Sequence, residues 1–219
     1  MKQISIVPSI IKEILSIGSV TFVRQSTISL LVIVLNYSLL KYGSVISISI
    51  YGIINRVMMF ALFPVLGITQ GFLPVAGYNY GAKDLNRVKE TIRISLIFGT
   101  GVAFIIFILI MFFNNALIGI FTNNKCMVRV TSKALTTTFL ATPLITIQLI
   151  GSAYFQAIGE TLKALVLALL KQGFFLIPLI YILPKFYGIH GIWISFPIAD
   201  ILSAIIILFV LKHEIKTNL

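Results

Sequence analysis

IRISLIFGTGVAFIIFILIMFF, residues 92–113, is the stretch whose reading decides the fold. Arg93 is its one charge, and polar and apolar residues do not alternate as they would in a half-wetted strand. A helix of that length rises about 33 Å, which matches a hydrocarbon core of roughly 30 Å. Stretches of similar character lie near 19–41, 45–74, 131–157, 162–183 and 189–211. The composition agrees: 58% of the 219 residues are hydrophobic, 11% are charged, and the mean hydropathy is +1.06. A soluble domain carries about 25% charged residues because its surface must be wetted. A soluble enzyme is therefore excluded. Backbone groups in lipid have to pair internally, and continuous apolar runs favour helices over a barrel. The expected fold is all-α and integral to the membrane, with six transmembrane helices.

The organisation follows from those runs. Residues 1–18 read as an amphipathic lead-in lying at the interface, with Ile10, Ile11, Ile14 and Ile17 at helical spacing. Pro8, Lys12 and Glu13 interrupt any signal-peptide core there. Residues 19–211 form the six-helix lobe, and 212–219 a basic tail. The second span is long and carries Pro64, Gly67, Gly71, Pro74 and Gly77. It is expected to kink near Pro64 and leave the membrane near Gly77.

Seventeen Lys and Arg stand against six Asp and Glu, a formal net charge of +11. These bases sit between apolar runs, so they orient the chain against lipid rather than bind nucleic acid. Lys83, Arg87, Lys89 and Arg93, then Lys163, then Lys212, His213 and Lys216, and the N-terminal Lys2 and Lys12 all fall on one side of a six-span chain. The positive-inside rule makes that side, with both termini, cytoplasmic. Lys41, Lys125, Arg129 and Lys185 fall on the other, with turns at 114–125 and 184–191.

Polar side chains within the spans are the functional candidates, because at membrane depth they face protein or water. Gln25, Ser29 and Asn36 share one face of the first span; Ser47, Tyr51 and Asn55 share one in the second, with Arg56, Met58 and Met59 beside it. Thr138, Thr142, Gln148, Ser152 and Gln156 give the fourth span a broad polar side. Gln25, Asn36, Asn55, Arg56, Met59, Gln148 and Gln156 are the candidates for lining a substrate cavity. The competing reading is hydrogen bonding that holds the bundle together. Arg24, about one turn into the first span, is placed to snorkel to the interface; Arg56 lies deeper and is expected to face protein; for Arg56 and Lys171 a pathway stands against a structural pair or snorkelling. Asp200, in SFPIADILS (195–203), is the one spanning carboxylate and the candidate for proton coupling; a hydrogen-bonded Asp following Pro197 is the alternative.

Catalytic machinery is absent from the sequence. Cys126 is the sole cysteine, so no disulfide within the chain and no Cys-based metal site can form. His190 and His213 stand apart and belong to no metal motif. There is no Walker A sequence, and Gly159-Glu160-Thr161 is not a phosphate loop. No metal or organic cofactor is expected, so transport, if active, would draw on a coupling ion.

At GFLPVAGYNYGAKDLNRVKE (71–90) the sequence resembles the multidrug and toxic compound extrusion (MATE) family, in its MepA-like bacterial branch. GITQGFLP (67–74), SAYFQAIGE (152–160), LKQGFFLIPLIYILP (170–184), GIHGIWISFPIADILS (188–203) and VTFVRQSTISLLVIVLN (20–36) extend the likeness over nearly the whole chain. The resemblance implies a multi-pass transporter of the bacterial plasma membrane. Such transporters have two six-helix lobes around a central cavity, and export cationic and amphipathic small molecules in exchange for protons or sodium. This chain matches the C-terminal lobe, so the resemblance implies an N-terminal lobe, or a second half-transporter, as partner. Some branches bind sodium through carboxylates in the seventh, eighth and tenth spans. The matching segments here, 19–41, 45–74 and 131–157, contain no Asp or Glu, so no cation ligand carries over. Two other readings stand beside this one: a lipid-linked oligosaccharide flippase of the same superfamily, with Arg24, Arg56 and Lys171 meeting an anionic head group, and a non-transporting fragment or assembly partner.

Overall fold

The computed structural model describes the backbone of residues 8–218 and the side chains of 22–218. Helices dominate. α1 (Pro8–Tyr42), α2 (Val45–Gly81) and α3 (Leu85–Gly119) are joined by turns of a few residues. α4 (Lys125–Phe139) and α5 (Ile145–Ala157) meet through a 3-10 turn at Thr142–Leu144. α6 (Thr161–Leu169) passes into a π-helical segment, Leu170–Leu176, then into α7 (Ile177–Ile182) and the short α8 (Pro184–Tyr187). α9 (Ile189–Thr217) closes the chain. Among the described residues six helical stretches are long and apolar enough to cross a membrane: Phe22–Tyr42, Val45–Gly81, Leu85–Gly119, Lys125–Ala157, Thr161–Tyr187 and Ile189–Thr217.

The expected spans are therefore present, but several are longer. α2 stays helical through Pro64 and Pro74 to Gly81, and α3 starts at Leu85, so the polar stretch after Gly77 is mostly helix. The reversal takes only Ala82–Asp84, with Lys83 left-handed (φ 59°) and Asp84 accepting the Arg87 N–H at 3.1 Å as N-cap. A distinct break in dihedrals lies in α3, at Phe113 (φ −109°, ψ 18°). The fourth span, expected as one helix, divides where Pro143 cannot donate a backbone bond. Of the proposed lead-in, residues 1–7 lie outside the described part. Residues 8–18 are the first turns of α1, and the side chains that would make them amphipathic are likewise outside it.

Two large apolar clusters fill the lobe, one toward each membrane face. The end bearing the turns after α1, α3 and α8, here the hairpin end, is filled by Leu35, Ile54, Leu135, Ile180, Trp193 and Phe196 among others. The opposite end, bearing the tail, is filled by Phe72, Ile92, Tyr154, Phe155, Ile207 and Leu211. α9 runs through both.

α8 and α9 meet at very short range. Gly188 makes the turn at φ 55°, and a Cβ on Gly191 would lie 2.6 Å from the Leu183 carbonyl carbon and oxygen and 2.8 Å from the Pro184 nitrogen. Backbone cannot yield as a flexible side chain does. Gly191→Ala is expected to destabilise the lobe by about 1–3 kcal/mol, the usual cost of overpacking, seen as a lower melting temperature in detergent. Gly52→Ala, where the added methyl meets nothing within 4 Å, is the control that should melt normally.

Candidate functional site

Hydroxyl groups in the spans mostly satisfy themselves. Thr27, Ser29, Thr69, Thr136, Thr138, Ser195 and Ser203 each donate to the carbonyl four residues earlier on the same helix. Ser47 accepts the Ser44 N–H at 3.1 Å and so caps α2 rather than lining a face. Much of what looks like a polar stripe in sequence is thus local backbone chemistry.

The exception lies between the two apolar clusters. Lys171, in the π-helical segment, places Nζ 2.6 Å from Asp200 Oδ1 on α9. Gln148 of α5 donates through Nε2 to the same Oδ1 and to the Asp200 main-chain oxygen, both at 3.0 Å. Ser203 Oγ also donates to that main-chain oxygen at 3.2 Å. The side chains of Lys171 and Asp200 are 17% and 6% exposed, so the pair is closed off from solvent. Asp200 lies about 17 Å along α9 by helical rise, near the centre of a bilayer of roughly 30 Å. An isolated charge there is costly, and pairing with full hydrogen bonding removes most of that cost.

Local sequence explains how Lys171 gets there. Pro178 cannot donate to the carbonyl of residue 174, and its ring crowds that carbonyl. The chain widens ahead of it, and the Ile177 N–H donates to Gln172 O, five residues back. Lys171 at the head of this widened turn faces α9. The pairing escaped the sequence reading, which left Lys171 undecided among three roles. Its signal was position: Lys171 lies 12 residues before Leu183 and Asp200 lies 11 after Ile189, at matching depth on either side of one reversal.

The other candidates lie elsewhere. Gln148 is buried and committed to Asp200. Asn36 is half-buried in α1. Gln25, Asn55, Arg56, Met59 and Gln156 are exposed on the lobe, Gln156 in the last turn of α5 at the tail end. Gln25, Asn55 and Arg56 have no side-chain partner among the described residues. Arg56 and Met59 belong to an exposed stripe of α2 at three- and four-residue steps, Ser49, Gly52, Arg56, Met59, Phe63, Gly67 and Gln70. The contrast with α3 is sharp: between Ile94 and Phe113 every exposed residue of α3 is apolar or glycine. One side of the lobe suits lipid, and another bears a guanidinium and amides at membrane depth.

Residues 20–182 match the MatE family. The chain belongs to that family. It is 28% identical over 212 residues to the multidrug export protein MepA of Staphylococcus aureus (strain N315), covering 95% of this chain and 46% of MepA. The Staphylococcus saprophyticus MepA is 27% identical over the same length. The MATE multidrug transporter DinF-BH superposes with a TM-score of 0.82 at 39% identity, over 94% of this chain and 46% of DinF-BH. An outward-facing multidrug resistance MATE family transporter superposes with a TM-score of 0.89 at 22% identity, over 99% of this chain and 49% of that one, which bears on the fold alone. The chain spans about half the length of the relatives it matches.

If Lys171 and Asp200 neutralise one another, breaking the pair from one side strands a buried charge. Asp200→Asn alone is expected to lower stability by about 3 kcal/mol, and the double variant Asp200→Asn/Lys171→Met to recover most of it. Thermal unfolding in detergent reads this. Additive losses in the double variant would show that the pair carries no coupling.

Proposed function

We propose that the chain is one lobe of a secondary efflux antiporter for cationic and amphipathic small molecules, working opposite a second helical lobe and driven by a proton or sodium gradient. Membership of the MatE family supports transport as the class of activity, and the multidrug names of MepA and DinF-BH support the substrate class. The observation that carries the reading is the exposed polar side of α1 and α2. Gln25, Asn55 and Arg56 at membrane depth need water or protein opposite them, and a cavity between two lobes provides both. Met59 and Phe63 on the same stripe offer adaptable apolar contact to varied ligands.

Coupling is assigned to a cation that competes for Asp200. While Lys171 and Gln148 hold that carboxylate, it is closed to protons and sodium. Release of Lys171, as the π-helical segment shifts, would open it. The flippase reading loses support here, because one of its three cations, Lys171, is already engaged with Asp200.

The test is dye efflux from vesicles containing the chain with its complementary lobe, under an imposed proton or sodium gradient. Asn55→Ala is expected to change the pattern of dyes exported at normal expression, because Asn55 is exposed and supports no packing. Gln148→Ala should lower export of every dye alike, because it loosens Asp200. Unchanged export across the panel for Asn55→Ala removes the α2 stripe from the cavity. Export with no gradient dependence removes the antiporter mechanism.

A further inference from the structure

The two ends of the lobe balance their charges differently. Asp84, Glu90, Glu160 and Glu214 all lie at the tail end, where Arg87 and Lys163 have carboxylate partners. At the hairpin end lie Lys41, Lys125, Arg129, Lys133 and Lys185, with no carboxylate among the described residues there. By the positive-inside rule bases are sparse on one side of a membrane, and the sequence assigns this end to that side. Cation–π contact accounts for two of them. Lys41 Nζ lies 5.9 and 5.5 Å from the Tyr37 and Tyr42 ring centroids, and Lys185 Nζ lies 4.3 Å from that of Tyr181. These are interfacial anchors.

Lys125, Arg129 and Lys133 have no such partner among the described residues. They recur every fourth residue along α4 and so share one face, where like charges repel. All three line a groove of about 400 Å³. Arg129 and Lys133 also line an adjoining groove of about 420 Å³, whose remaining walls are Ile50 of α2, Val130, Ala134 and Thr137 of α4, and Ile189, His190 and Trp193 of α9. By helical rise Arg129 sits about 6 Å and Lys133 about 12 Å from the start of α4, spanning headgroup depth and the top of the hydrocarbon. A guanidinium fork and an ammonium above an apolar wall match a phosphate joined to an acyl chain.

We propose that the groove between α4 and α9 binds the headgroup phosphate of an anionic membrane lipid through Arg129 and Lys133, with Val130 and Ile189 along its acyl chain. A soluble phosphate would satisfy the same two cations. The apolar wall and the position at the interface favour the lipid.

Trp193 is the only tryptophan in the chain and is buried beneath the floor of this groove, within quenching range of a chain seated in it, so its fluorescence reports occupancy without any transport assay. The chain is placed in phosphatidylcholine vesicles, and chain-brominated phosphatidylglycerol or chain-brominated phosphatidylcholine is added as quencher. Half-maximal quenching is expected at a roughly tenfold lower mole fraction of the phosphatidylglycerol, from two cations near one phosphate. In Arg129→Gln/Lys133→Gln the two curves should coincide, while Lys185→Gln, at the same end but stacked on Tyr181, should keep the preference. Both substituted cations are exposed, so the fold should survive the change. Coincident curves in the unsubstituted chain overturn the proposal. So does a loss in Lys185→Gln equal to that in the double variant, which would leave only general surface charge. Inorganic phosphate at millimolar concentration, with ionic strength held by chloride, should leave the preference intact; its disappearance would assign the site to a soluble anion and overturn the lipid.

Discussion

Hydrocarbon offers no partner to a backbone amide or a charged head group, so a polar atom placed there is costly unless it finds a partner within the protein. The hydroxyls of Thr69, Thr138, Ser195 and Ser203 turn back onto their own helices. Asp200 has no such local option for its charge. It draws Lys171 and Gln148 from two other elements, and its main-chain oxygen accepts from Gln148 and Ser203 besides. That cluster ties three elements together where the apolar clusters of the two ends run out.

Two irregular segments and a helix-interior proline lie near the same point. The 3-10 turn at Thr142–Leu144 precedes Gln148 by a single turn, the π-helical segment Leu170–Leu176 carries Lys171, and Pro197 lies in α9 just before Asp200. The first two contain or adjoin prolines, Pro143 and Pro178, that cannot donate a backbone bond. A regular helix is held by every rung of its ladder. One interrupted by Pro143, Pro178 or Pro197 is held less tightly there and bends more readily. Charge pairing and helix irregularity therefore occupy the same depth, and a rearrangement that separates Lys171 from Asp200 has the adjustable backbone beside it.

The spans themselves were legible because hydropathy is a local property, as 92–113 shows without help from any neighbour. Their ends were less so. The residues after Gly77 are polar enough to suggest a loop, yet they continue α2 and open α3, because a helix leaving the membrane has no reason to stop at the interface. Proline chemistry was legible at Pro64, where α2 stays helical, but not at Pro143, which divides a stretch whose hydropathy reads as one span. Site residues divide in the same way. Asp200 was visible as a lone carboxylate in an apolar run. Its bond to Lys171 was not, since a partner is chosen by three-dimensional depth and facing. Ser47 looked like part of a polar stripe and proved to be a cap, a role that depends on where α2 starts.

A lobe with two unlike sides has consequences for what surrounds it. Along α3, Ile97, Phe98, Phe104, Ile105, Leu109 and Phe112 are exposed, a surface that lipid covers without cost. Along α2, Arg56 is exposed within two turns of Met59 and Phe63, and Asn55 lies beside it. A guanidinium facing lipid near the bilayer centre costs at least about 2.5 kcal/mol, so the α2 side is a poor lipid face. Among the described residues none near Arg56 could neutralise it within the lobe: the one spanning carboxylate is already held by Lys171. The same pairing that completes the interior of the lobe leaves Arg56 on the α2 face with no carboxylate partner among the described residues. On the proposed reading, that unsatisfied face is where a second lobe would stand, while the self-satisfied core needs none.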